Sequence, residues 1–600
     1  MRLGDAAAAS CARARRWNLT DWPLADQARL TTLALRRAAH KSLRASAWPM
    51  RLLTYARTRK PTRLLIAPQD VRTADPIIAS DIYGGYFALG GKAVQLRGQS
   101  PFEVDPPSPA WSRNLMGFGW LRHLRAADTP LTRANARALV ADWLGFAQHG
   151  FPGEAGESVH EPRVAARRLL SWLSHSPIIL DEATLSFYKQ FLTQVARETR
   201  RLQAALHEGL EGDARLLAAI ALAQSSLSVE GFEGLQASHT RQLDKELQRQ
   251  ILADGGHVSR NPRLLAEFLV DLLPLRQAYA ARNAPPPPEL ARAITAMIPM
   301  LRLLRHGNGE IALFNGMGAT APDLLATVLA YDDGRAFVPQ YAEQSGYARL
   351  QAGDSLVIVD VGKAPQSDFS EEAHAGALSF EFSSLLNRIV VNCGAPAQEG
   401  TSLRHASRST SAHSGLTISD ESSVRFSAQT PGGASFERRI LRGPGMVRID
   451  PERTQPGKSL FVSHDGFARR FRVMHLRYLE LDADGATLSG VDQVMPAGRS
   501  GTAKAQDFVL RFHLHPSVIA SPTQDGVGVF LDLPGDETWY FAATDLPITL
   551  EDSIYLGAMT GPLKSAQIVI RANSAERTEI SWAFQRCAPP QDDVADTPER

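Results

Sequence analysis

One short loop of this sequence concentrates side chains that can take up a proton and bind an anion. It reads Gly255-Gly256-His257-Val258-Ser259-Arg260-Asn261-Pro262. The two glycines permit close backbone approach, the imidazole of His257 can act as a base, and Arg260 and Asn261 can bind a carboxylate or a sulfate. Pro262 predicts the start of a helix, whose N-terminus would favour a bound anion. The alternative is that Asn261-Pro262 only caps this helix and that His257 is a surface residue.

Two further groups of side chains suit a sugar ligand. Arg168 and Trp172 combine a positive charge with an aromatic face of the kind that stacks on sugar rings, and core packing is the alternative for Trp172. Asn315 belongs to a polar stretch, residues 303–316, that could line a cleft. We therefore keep Arg168, Trp172 and Asn315 as candidate substrate contacts.

The composition excludes several classes of protein. The chain has 600 residues, more than one hydrophobic core normally organises, so we expect more than one domain. Its formal net charge of +2 indicates no global attraction to nucleic acid or to a membrane. The three cysteines form no CxxC pair, which argues against a zinc ribbon or a disulfide framework. We find no apolar run long enough to span a membrane and no visible cleavable signal peptide.

Long helical patterns dominate the first half of the chain. Several segments carry apolar residues at three- and four-residue spacing, separated by Gly, Pro or Ser: 131–148, 163–175, 182–208, 213–227, 239–253, 262–282 and 288–305. Consecutive helices with short loops pack as antiparallel neighbours, and many in series give a bundle, a solenoid or a closed α/α toroid. After about Tyr347, short β-type runs between Gly, Asp, Asn and Ser turns predict a β-sandwich.

These patterns predict an α + β multidomain protein, with an N-terminal α/α toroid followed by a C-terminal antiparallel β-sandwich. Residues 1–60 form a predicted basic amphipathic segment, which packs by its leucines on the next domain or, as the alternative, binds a membrane surface. We predict an extended arm or collar at 61–110, the toroid at 111–345, the sandwich at 346–587 and a disordered tail at 588–600.

Three motifs near the start of the predicted β half resemble those of a known family. The segment Asp368–Glu381, DFSEEAHAGALSFE, resembles the His-x-His-x-Asp-x-x-Ser-Phe-Glu segment of the heparinase II/III-like polysaccharide lyases. Asn387–Gly394 is similar to the Val-Asp-Pro-Gly strand that follows it, and Arg408–Ser414 is similar to the family's Arg-Ser-Thr-x-Ala-His-Asn. The resemblance covers most of the chain from about Trp111 onward, and upstream it rests on the layout and on the loop at Asp254–His257.

The resemblance implies a groove between the two halves that binds an acidic polysaccharide and cleaves it by β-elimination beside a uronic acid. Such a reaction needs a group that neutralises the carboxylate, a base for the C5 proton and an acid for the leaving oxygen. His257 is the leading base candidate, and the resemblance places His374 at the groove as the second. The proposed substrate contacts are Arg260, Asn261, Arg408, Asn315, Trp172 and Arg168.

The sequence departs from the family pattern at positions where the chemistry would be done. Glu372 replaces the first histidine of His-x-His-x-Asp and Gly376 replaces its aspartate, while Asn392 replaces the aspartate of Val-Asp-Pro-Gly. Gly212-Asp213 stands where the helical half would carry an Asn-His pair. One alternative is therefore a non-catalytic glycan-binding or envelope-polysaccharide assembly protein on the same fold. A second is a glycoside hydrolase, with carboxylates recruited from Glu310, Glu371 and Glu372.

The resemblance also bears on metals and on location. Some relatives bind zinc through ligands at the positions of His374, Asn392 and His413, but a neutral Asn392 is a poor zinc donor. We therefore expect no metal and no cofactor, with a structural zinc or calcium as the less favoured alternative. The implied partner is an acidic polysaccharide and not a nucleic acid. The implied location is the cell envelope or periplasm, and a cytoplasmic location is the alternative.

Overall fold

The computed structural model describes residues 60–588 apart from a few short stretches. These stretches are 153–155, 333, 335–336, 398–401, 428–438, 499–503 and 545. Helices occupy the first half of the described part and strands the second, and the change falls between Leu329 and Tyr341. The predicted basic segment and the predicted tail lie outside the described residues, apart from residues 60 and 588.

The α-helices of the first half begin, in most cases, with a proline. Proline fits there because its φ is already helical and its missing N–H is not needed in the first turn. The helices are α1 (Pro76–Tyr83), α2 (Pro109–Gly117), α3 (Leu121–Ala127), α4 (Pro130–His149), α5 (Pro162–Ser174), α6 (Ser176–Leu180), α7 (Leu185–His207), α8 (Asp213–Ser228), α9 (Glu233–Gln250), α10 (Pro262–Ala281), α11 (Pro288–Leu303) and α12 (Pro322–Leu329). A hairpin of β1 (Tyr86–Leu89) and β2 (Lys92–Gln95) follows α1.

The long helices form two layers of a toroid. The inner layer consists of α2, α5, α8, α10 and α12, each of which packs on the next member of this series. Helices α7, α9 and α11 pack on them from outside. Helix α8 is buried on all sides from Leu216 to Ser228, as expected of a helix that has neighbours all around. Its sequence, LLAAIALAQSSLS, is correspondingly apolar or small except for Gln224.

The periodicity predicted the long helices closely, with ends that mostly fall within three residues of the observed ones. Helix α9 is the exception, since it begins at Glu233 rather than near 239, and its first turns bury only Leu235 before His239. The arm predicted at 61–110 contains α1 as well as the hairpin. Asp75 caps α1 by accepting a hydrogen bond from the Ile77 N–H at 2.8 Å. The periodicity did not predict this helix because its eight residues are too few to show a helical repeat.

Two antiparallel sheets face each other in the second half. Their strands are β3 (Tyr341–Ala342), β4 (Tyr347–Ala352), β5 (Ser355–Asp360), β6 (Phe380–Ser384), β7 (Asn387–Val391), β8 (Leu416–Ile418), β11 (Val447–Ile449), β12 (Ser459–His464), β13 (Val473–Leu481), β14 (Thr487–Pro496), β15 (Asp507–Leu514), β16 (Ile519–Pro522), β17 (Gly528–Leu533), β18 (Glu537–Ala543), β19 (Ile548–Tyr555), β20 (Leu563–Asn573) and β21 (Glu579–Arg586). A separate two-stranded sheet pairs β9 (Arg425–Phe426) with β10 (Ile440–Arg442), and two short helices are α13 (Ser402–Ala406) and α14 (Ala468–Phe471).

One sheet has the strand order β11-β12-β13-β14-β21-β18-β17-β16. The other has the order β19-β20-β15-β7-β6-β5-β4-β3, and β8 pairs with β15. Strand β13 alternates buried and partly exposed residues, the pattern of a sheet with one face on a core. Phe382, Phe512, Trp539, Trp582 and Phe584 lie in the core between the sheets. The predicted fold class, a toroid followed by an antiparallel β-sandwich, is confirmed.

Strand β5 joins the two halves, because both of its faces are buried. Leu356 and Ile358 pack into the helical core, whereas Val357 and Val359 pack into the sandwich core. Alternate residues of a strand point to opposite faces, so a run of six buried residues requires a covering layer on each side. The toroid supplies one of these layers, which fixes the sandwich against the helices.

Candidate functional site

A cleft of about 640 Å³ opens between the toroid and the sandwich. On the toroid side it is lined by residues at the N-terminal ends of the inner helices α2, α5, α8 and α10. On the sandwich side it is lined by residues of the loop 368–373 and by Ala397, Arg404 and Arg439, and the hairpin turn Gly90-Gly91 also lines it. We call this space the seam cleft.

The start of α8 comes very close to the sandwich loop. Gly212 has a φ of 69°, and a Cβ atom there would lie 3.3 Å from the carbonyl oxygen of Asp368. A side chain would therefore be strained by its backbone conformation and tightly confined by the loop. This contact places Asp213, the first residue of α8, in the wall of the cleft.

Glu372 is held by groups from both halves of the protein. Its carboxylate accepts hydrogen bonds from Arg263 at 2.5 Å, from Arg404 at 2.7 Å and from the Asn261 side-chain amide at 2.8 Å. Burial alone would raise the pKa of Glu372, but the charges of these two arginines and of Arg163 lower it to about 2. Glu372 is therefore ionised and links the toroid to the sandwich.

Asp213 forms the second ion pair of the cleft, with Arg163 at the start of α5. The Arg163 charge lowers the pKa of Asp213 against the opposing effect of burial. The charge of Glu372 also acts on both members of this pair, which indicates one connected cluster of charges. Two of the positions at which the sequence departs from the family pattern, Asp213 and Glu372, are thus ion-paired carboxylates.

The other arginines of the cleft wall are also paired. Arg113 contacts Glu161 at 2.8 Å, and Arg167 contacts Asp271 at 2.5 Å. Arg439 contacts Glu211 at 3.4 Å and Asp368 at 3.2 Å.

Glu371 differs from the other carboxylates of the wall. It is exposed and has no ion pair or side-chain hydrogen bond with any described residue.

His257 lies behind the cleft wall and packs against Phe369, which lines the cleft. The Ser259 N–H donates to His257 Nδ1 at 3.1 Å, so the ring hydrogen is on Nε2, which donates to Gln250 Oε1 at 3.1 Å. Burial lowers the pKa of His257 to about 4. Both nitrogens of this neutral ring are therefore engaged inside the protein.

His374 contacts His413 instead of a carboxylate. His413 Nδ1 lies 2.7 Å from the Ser409 carbonyl oxygen and must donate to it, so His413 Nε2 accepts the hydrogen of His374 Nδ1 at 3.1 Å. This assignment leaves His374 Nε2 as the nitrogen that can accept a proton. Burial, and then the charges of His413, Arg408 and Arg404, lower the pKa of His374 well below its usual value.

Arg260 is part of the junction between the halves and does not line the cleft. Its guanidinium contacts Asp360 at 2.5 Å and donates to the Ser345 carbonyl at 2.7 Å. Asn315 does line the cleft, and its amide donates to Asp360 at 3.0 Å and to the Tyr347 hydroxyl at 2.9 Å. The structure therefore brings Arg260 and Asn315 together around one buried carboxylate.

Asn261 and Arg408 shape the cleft from its two sides. Asn261 lines it and also caps α10, because its side-chain oxygen accepts from the Arg263 N–H at 3.0 Å. Arg408 is buried outside the wall and donates to the carbonyl oxygens of Ala373 at 2.7 Å and Ser370 at 3.0 Å. It thereby holds the loop whose residues form the sandwich side.

Arg168 and Trp172 lie in the helical core, apart from the cleft wall. Trp172 has no exposed surface, and its ring centroid lies 5.0 Å from that of Trp143. Arg168 is equally buried, pairs with Glu198 at 2.6 Å and stacks 4.5 Å from the Trp143 ring. These positions correspond to the core-packing alternative for Trp172.

The three weak metal candidates are engaged with protein partners. Asn392 donates to Glu381 at 3.2 Å and accepts from the Ser414 N–H at 3.0 Å, while His374 and His413 bond to each other. Across the described residues we find no group of three or more His, Cys, Asp or Glu side chains arranged to hold a metal ion. The helices of this same part of the chain include none long and apolar enough to cross a membrane.

The sequence did not reveal the residues that dominate the cleft. The sequence motifs do not include Arg163, Arg263 or Arg404. Asp213 stands out in the sequence as a departure from the family pattern, and Glu372 stands out as such a departure and as a possible hydrolase carboxylate. A signal was present, because Arg163, Asp213 and Arg263 each lie in the first turn of a predicted helix. Helices of the inner layer that begin at the same end bring such residues together.

Known proteins match both the sequence and the fold. FtsZ-localized protein C from Caulobacter vibrioides is 28% identical over 548 residues, which cover 88% of this chain and 91% of that protein. A solved heparan sulfate lyase from Pedobacter heparinus, a HepC mutant, has a TM-score of 0.60 at 13% identity and covers 97% of this chain and 90% of its own. A heparinase III structure has a TM-score of 0.65 at 13% identity and covers 89% of this chain and 88% of its own.

At this level of identity, the structural likenesses show a shared fold. The family model described as Heparinase II/III-like, C-terminal, matches residues 337–583, which include the three motifs and nearly the whole sandwich. The β-sandwich half of the chain therefore matches the heparinase II/III-like family.

Proposed function

We propose that this protein binds a saccharide chain in the seam cleft without cleaving it by β-elimination. One observation carries the proposal: the described residues that line the cleft include arginines, carboxylates and amides but no histidine and no tyrosine. The undescribed stretches between residues 60 and 588 contain neither residue type in their sequence. β-Elimination needs a base for a weakly acidic proton and an acid for the leaving oxygen, roles suited to an imidazole or a phenol.

The cleft nevertheless has the properties of a sugar site. Its volume of about 640 Å³ lies within the range of ligand pockets, and its wall presents hydrogen-bonding groups from both halves. Asn261, Asn315 and Ser259 place amide and hydroxyl groups in the wall together with the ionised Glu372. Polar side chains held by neighbouring ion pairs recognise hydroxyl-rich ligands with little loss of side-chain freedom.

The lyase hypothesis now depends mainly on His374. Its Nε2 is the nitrogen left to accept a proton, whereas both nitrogens of His257 are hydrogen-bonded. The lowered pKa keeps the His374 ring neutral but also makes it a weak base. An active lyase would require His374 to reach a substrate from behind the wall.

The glycoside hydrolase hypothesis has less support. Such an enzyme needs one carboxyl group that stays protonated, with a raised pKa, beside one that is ionised. The pKa values of Glu372 and Asp213 are both lowered by arginines. Glu310 lies outside the cleft wall and pairs with Arg388 at 2.9 Å.

The test combines a binding assay with an activity assay. The purified chain is incubated with oligosaccharides of alginate, polygalacturonate, heparan sulfate, chitin and chitosan. Binding is measured by calorimetry, double-bond formation by near-ultraviolet absorbance and hydrolysis by new reducing ends. We expect binding of at least one oligosaccharide with neither product. Arg263→Ala removes a partner of Glu372 in the cleft wall and should change that affinity about tenfold, whereas Arg571→Ala, at an exposed site outside the cleft, should not change it.

Two results would refute the proposal. Near-ultraviolet absorbance that develops with the wild-type chain and is abolished in His374→Ala would establish the lyase. If the chain bound none of the oligosaccharides of the panel, the cleft would be excluded as a sugar site.

A second candidate role is association with FtsZ. The likeness to FtsZ-localized protein C extends over 88% of this chain and 91% of that protein, so it is not confined to one domain. We propose that this chain shares that localisation. The expected cell-envelope location and its cytoplasmic alternative both stay predictions.

A fluorescent fusion expressed from the native locus tests this role. We expect its signal to coincide with labelled FtsZ and to disperse when FtsZ is depleted. A signal that stays unchanged after FtsZ depletion would refute the role. That result would not bear on whether the purified chain binds a saccharide.

A further inference from the structure

We infer that the saccharide recognised by the seam cleft carries protonated amino groups, as a glucosamine chain does, and is not a uronate or sulfated chain. This inference rests on the proposed function, because it names the ligand of the same cleft. It departs from the acidic polysaccharide that the family resemblance implies. The charges of the cleft wall are the basis for it.

All six arginines of the described cleft wall are already paired with carboxylates. The pairs are Arg113 with Glu161, Arg163 with Asp213, Arg167 with Asp271, Arg263 with Glu372, Arg404 with Glu372, and Arg439 with Glu211 and Asp368. The same wall contains seven carboxylates, so its formal charge is slightly negative. It offers no surplus of positive charge to a polyanion.

An acidic sugar that took the place of Glu372 on Arg263 and Arg404 would displace a carboxylate of the protein. Glu372 has lost most of its contact with water, and without Arg263 and Arg404 it would be left as an unpaired charge inside the cleft. Leaving a charge buried without its partner is strongly unfavourable. A uronate would also face Asp213 and Glu267 at close range, which adds like-charge repulsion.

The helix N-termini do not reverse this argument. The starts of four inner helices favour negative charge nearby, but carboxylates of the chain already occupy two of these positions. Glu161 precedes the first residue of α5, and Asp213 is the first residue of α8. The dipoles of these two helices are thus complemented by the protein itself.

Glu371 is the remaining unpaired group. It is exposed, lines the cleft and makes no ion pair with a described residue. An ammonium group on a sugar would form a charge-assisted hydrogen bond with it while leaving every arginine pair intact. The wall therefore complements a cation at the position where it has an unsatisfied charge.

The experiment compares three oligosaccharides of equal length at mildly acidic pH. They are a chitosan oligomer with free amines, the fully N-acetylated chitin oligomer and an oligogalacturonate. With the wild-type chain we expect the chitosan oligomer to bind at least tenfold more tightly than the chitin oligomer, and the oligogalacturonate to bind most weakly. Added salt should weaken binding of the chitosan oligomer and leave binding of the chitin oligomer nearly unchanged.

Two variants sharpen the comparison. Glu371→Gln should reduce the affinity for the chitosan oligomer about tenfold and leave the affinity for the chitin oligomer unchanged. Glu576→Gln, an exposed glutamate outside the cleft wall, is the matched control and should change neither. Glu372→Gln releases Arg263 and Arg404, so this variant should gain affinity for the oligogalacturonate.

The outcomes separate this inference from the proposed function. Tighter binding of the oligogalacturonate than of the chitosan oligomer would overturn the inference and leave the saccharide site in place. An unchanged chitosan affinity in Glu371→Gln would overturn it as well. If the chain bound none of the three oligomers and none of the acidic oligosaccharides of the earlier panel, the proposed function itself would be overturned.

Discussion

Arg260 of the toroid and Asp360 of the sandwich form a buried ion pair at 2.5 Å, although 100 residues separate them in the sequence. The same guanidinium donates to the carbonyl oxygens of Ser345 and Gly346, and Asp360 also accepts from Asn315. The side chains of Arg260, Asp360 and Asn315 are thus linked in one network of hydrogen bonds. The pair fixes one edge of the cleft without touching the space inside it.

Removal of Arg260 should destabilise the protein more than it impairs ligand binding. Arg260→Ala leaves Asp360 as a buried charge without its ion-pair partner, an effect of about 3–5 kcal/mol on the free energy of unfolding. Thermal unfolding followed by circular dichroism measures the change. Arg571→Ala removes an exposed pair with Glu551 and should have little effect. Equal losses in the two variants would contradict a central role for the junction.

The pH dependence of stability should reflect the buried histidines. Burial lowers the pKa of His257 from 6.5 to about 4. Between these two values the unfolded chain binds more protons than the folded one, so the free energy of unfolding falls as the pH falls. His257 alone should contribute about 3 kcal/mol to this loss. Denaturant unfolding at several pH values measures this dependence. The free energy of unfolding should change less steeply with pH in His257→Gln than in the wild-type chain, and an identical pH dependence would contradict the assignment.

Restoring the aspartate of the family pattern at Gly376 should harm the fold. A Cβ atom at Gly376 would lie 2.8 Å from Cδ2 of His413. His413 is itself fixed by its bonds to Ser409 and His374, so Gly376→Ala should lower the unfolding free energy by about 1–3 kcal/mol. In Gly145→Ala, a helical site with open space around the new Cβ, stability should be unchanged or higher. A neutral Gly376→Ala would show that His413 can move.

Truncation of Trp172 should act through the core. Trp172→Ala leaves a cavity among Trp143, Phe118 and Phe191, and such truncations lower stability by about 3–5 kcal/mol. Affinity for the saccharide, measured below the melting temperature of the variant, should change less than twofold. Trp172→Phe is the milder comparison. A selective loss of affinity in a stable Trp172→Phe protein would favour the sugar-stacking hypothesis instead.

The sequence predicted the fold better than it predicted the roles of single residues. The start of α10 was predictable because Asn261-Pro262 carries its own cap and first turn. The role of Arg260, next to this cap, was not, because its partner Asp360 is distant in sequence and its φ of 62° turns the side chain away from the helix. His257 also looked chemically active in isolation. Its bonds to Gln250 and to Ser259 appear only when the loop folds back on the end of α9.

The cleft was harder to predict, since its character depends on pairing. Arg263 and Glu372 lie more than a hundred residues apart, and neither type of residue is unusual in its own segment. An arginine at the start of a helix suggests anion binding when its partner is unknown. The same arginine beside a carboxylate of the protein is already neutralised. Only the arrangement of the inner helices against the sandwich loop distinguishes these two cases.

The double burial of strand β5 also limits how this protein can evolve and be divided. Leu356 and Ile358 belong to one core, and Val357 and Val359 belong to the other. Any fragment ending at the junction would carry an uncovered apolar stripe and would be prone to aggregate. Exchange of the helical half for that of a relative should therefore succeed only when the donor also supplies the residues that cover this strand.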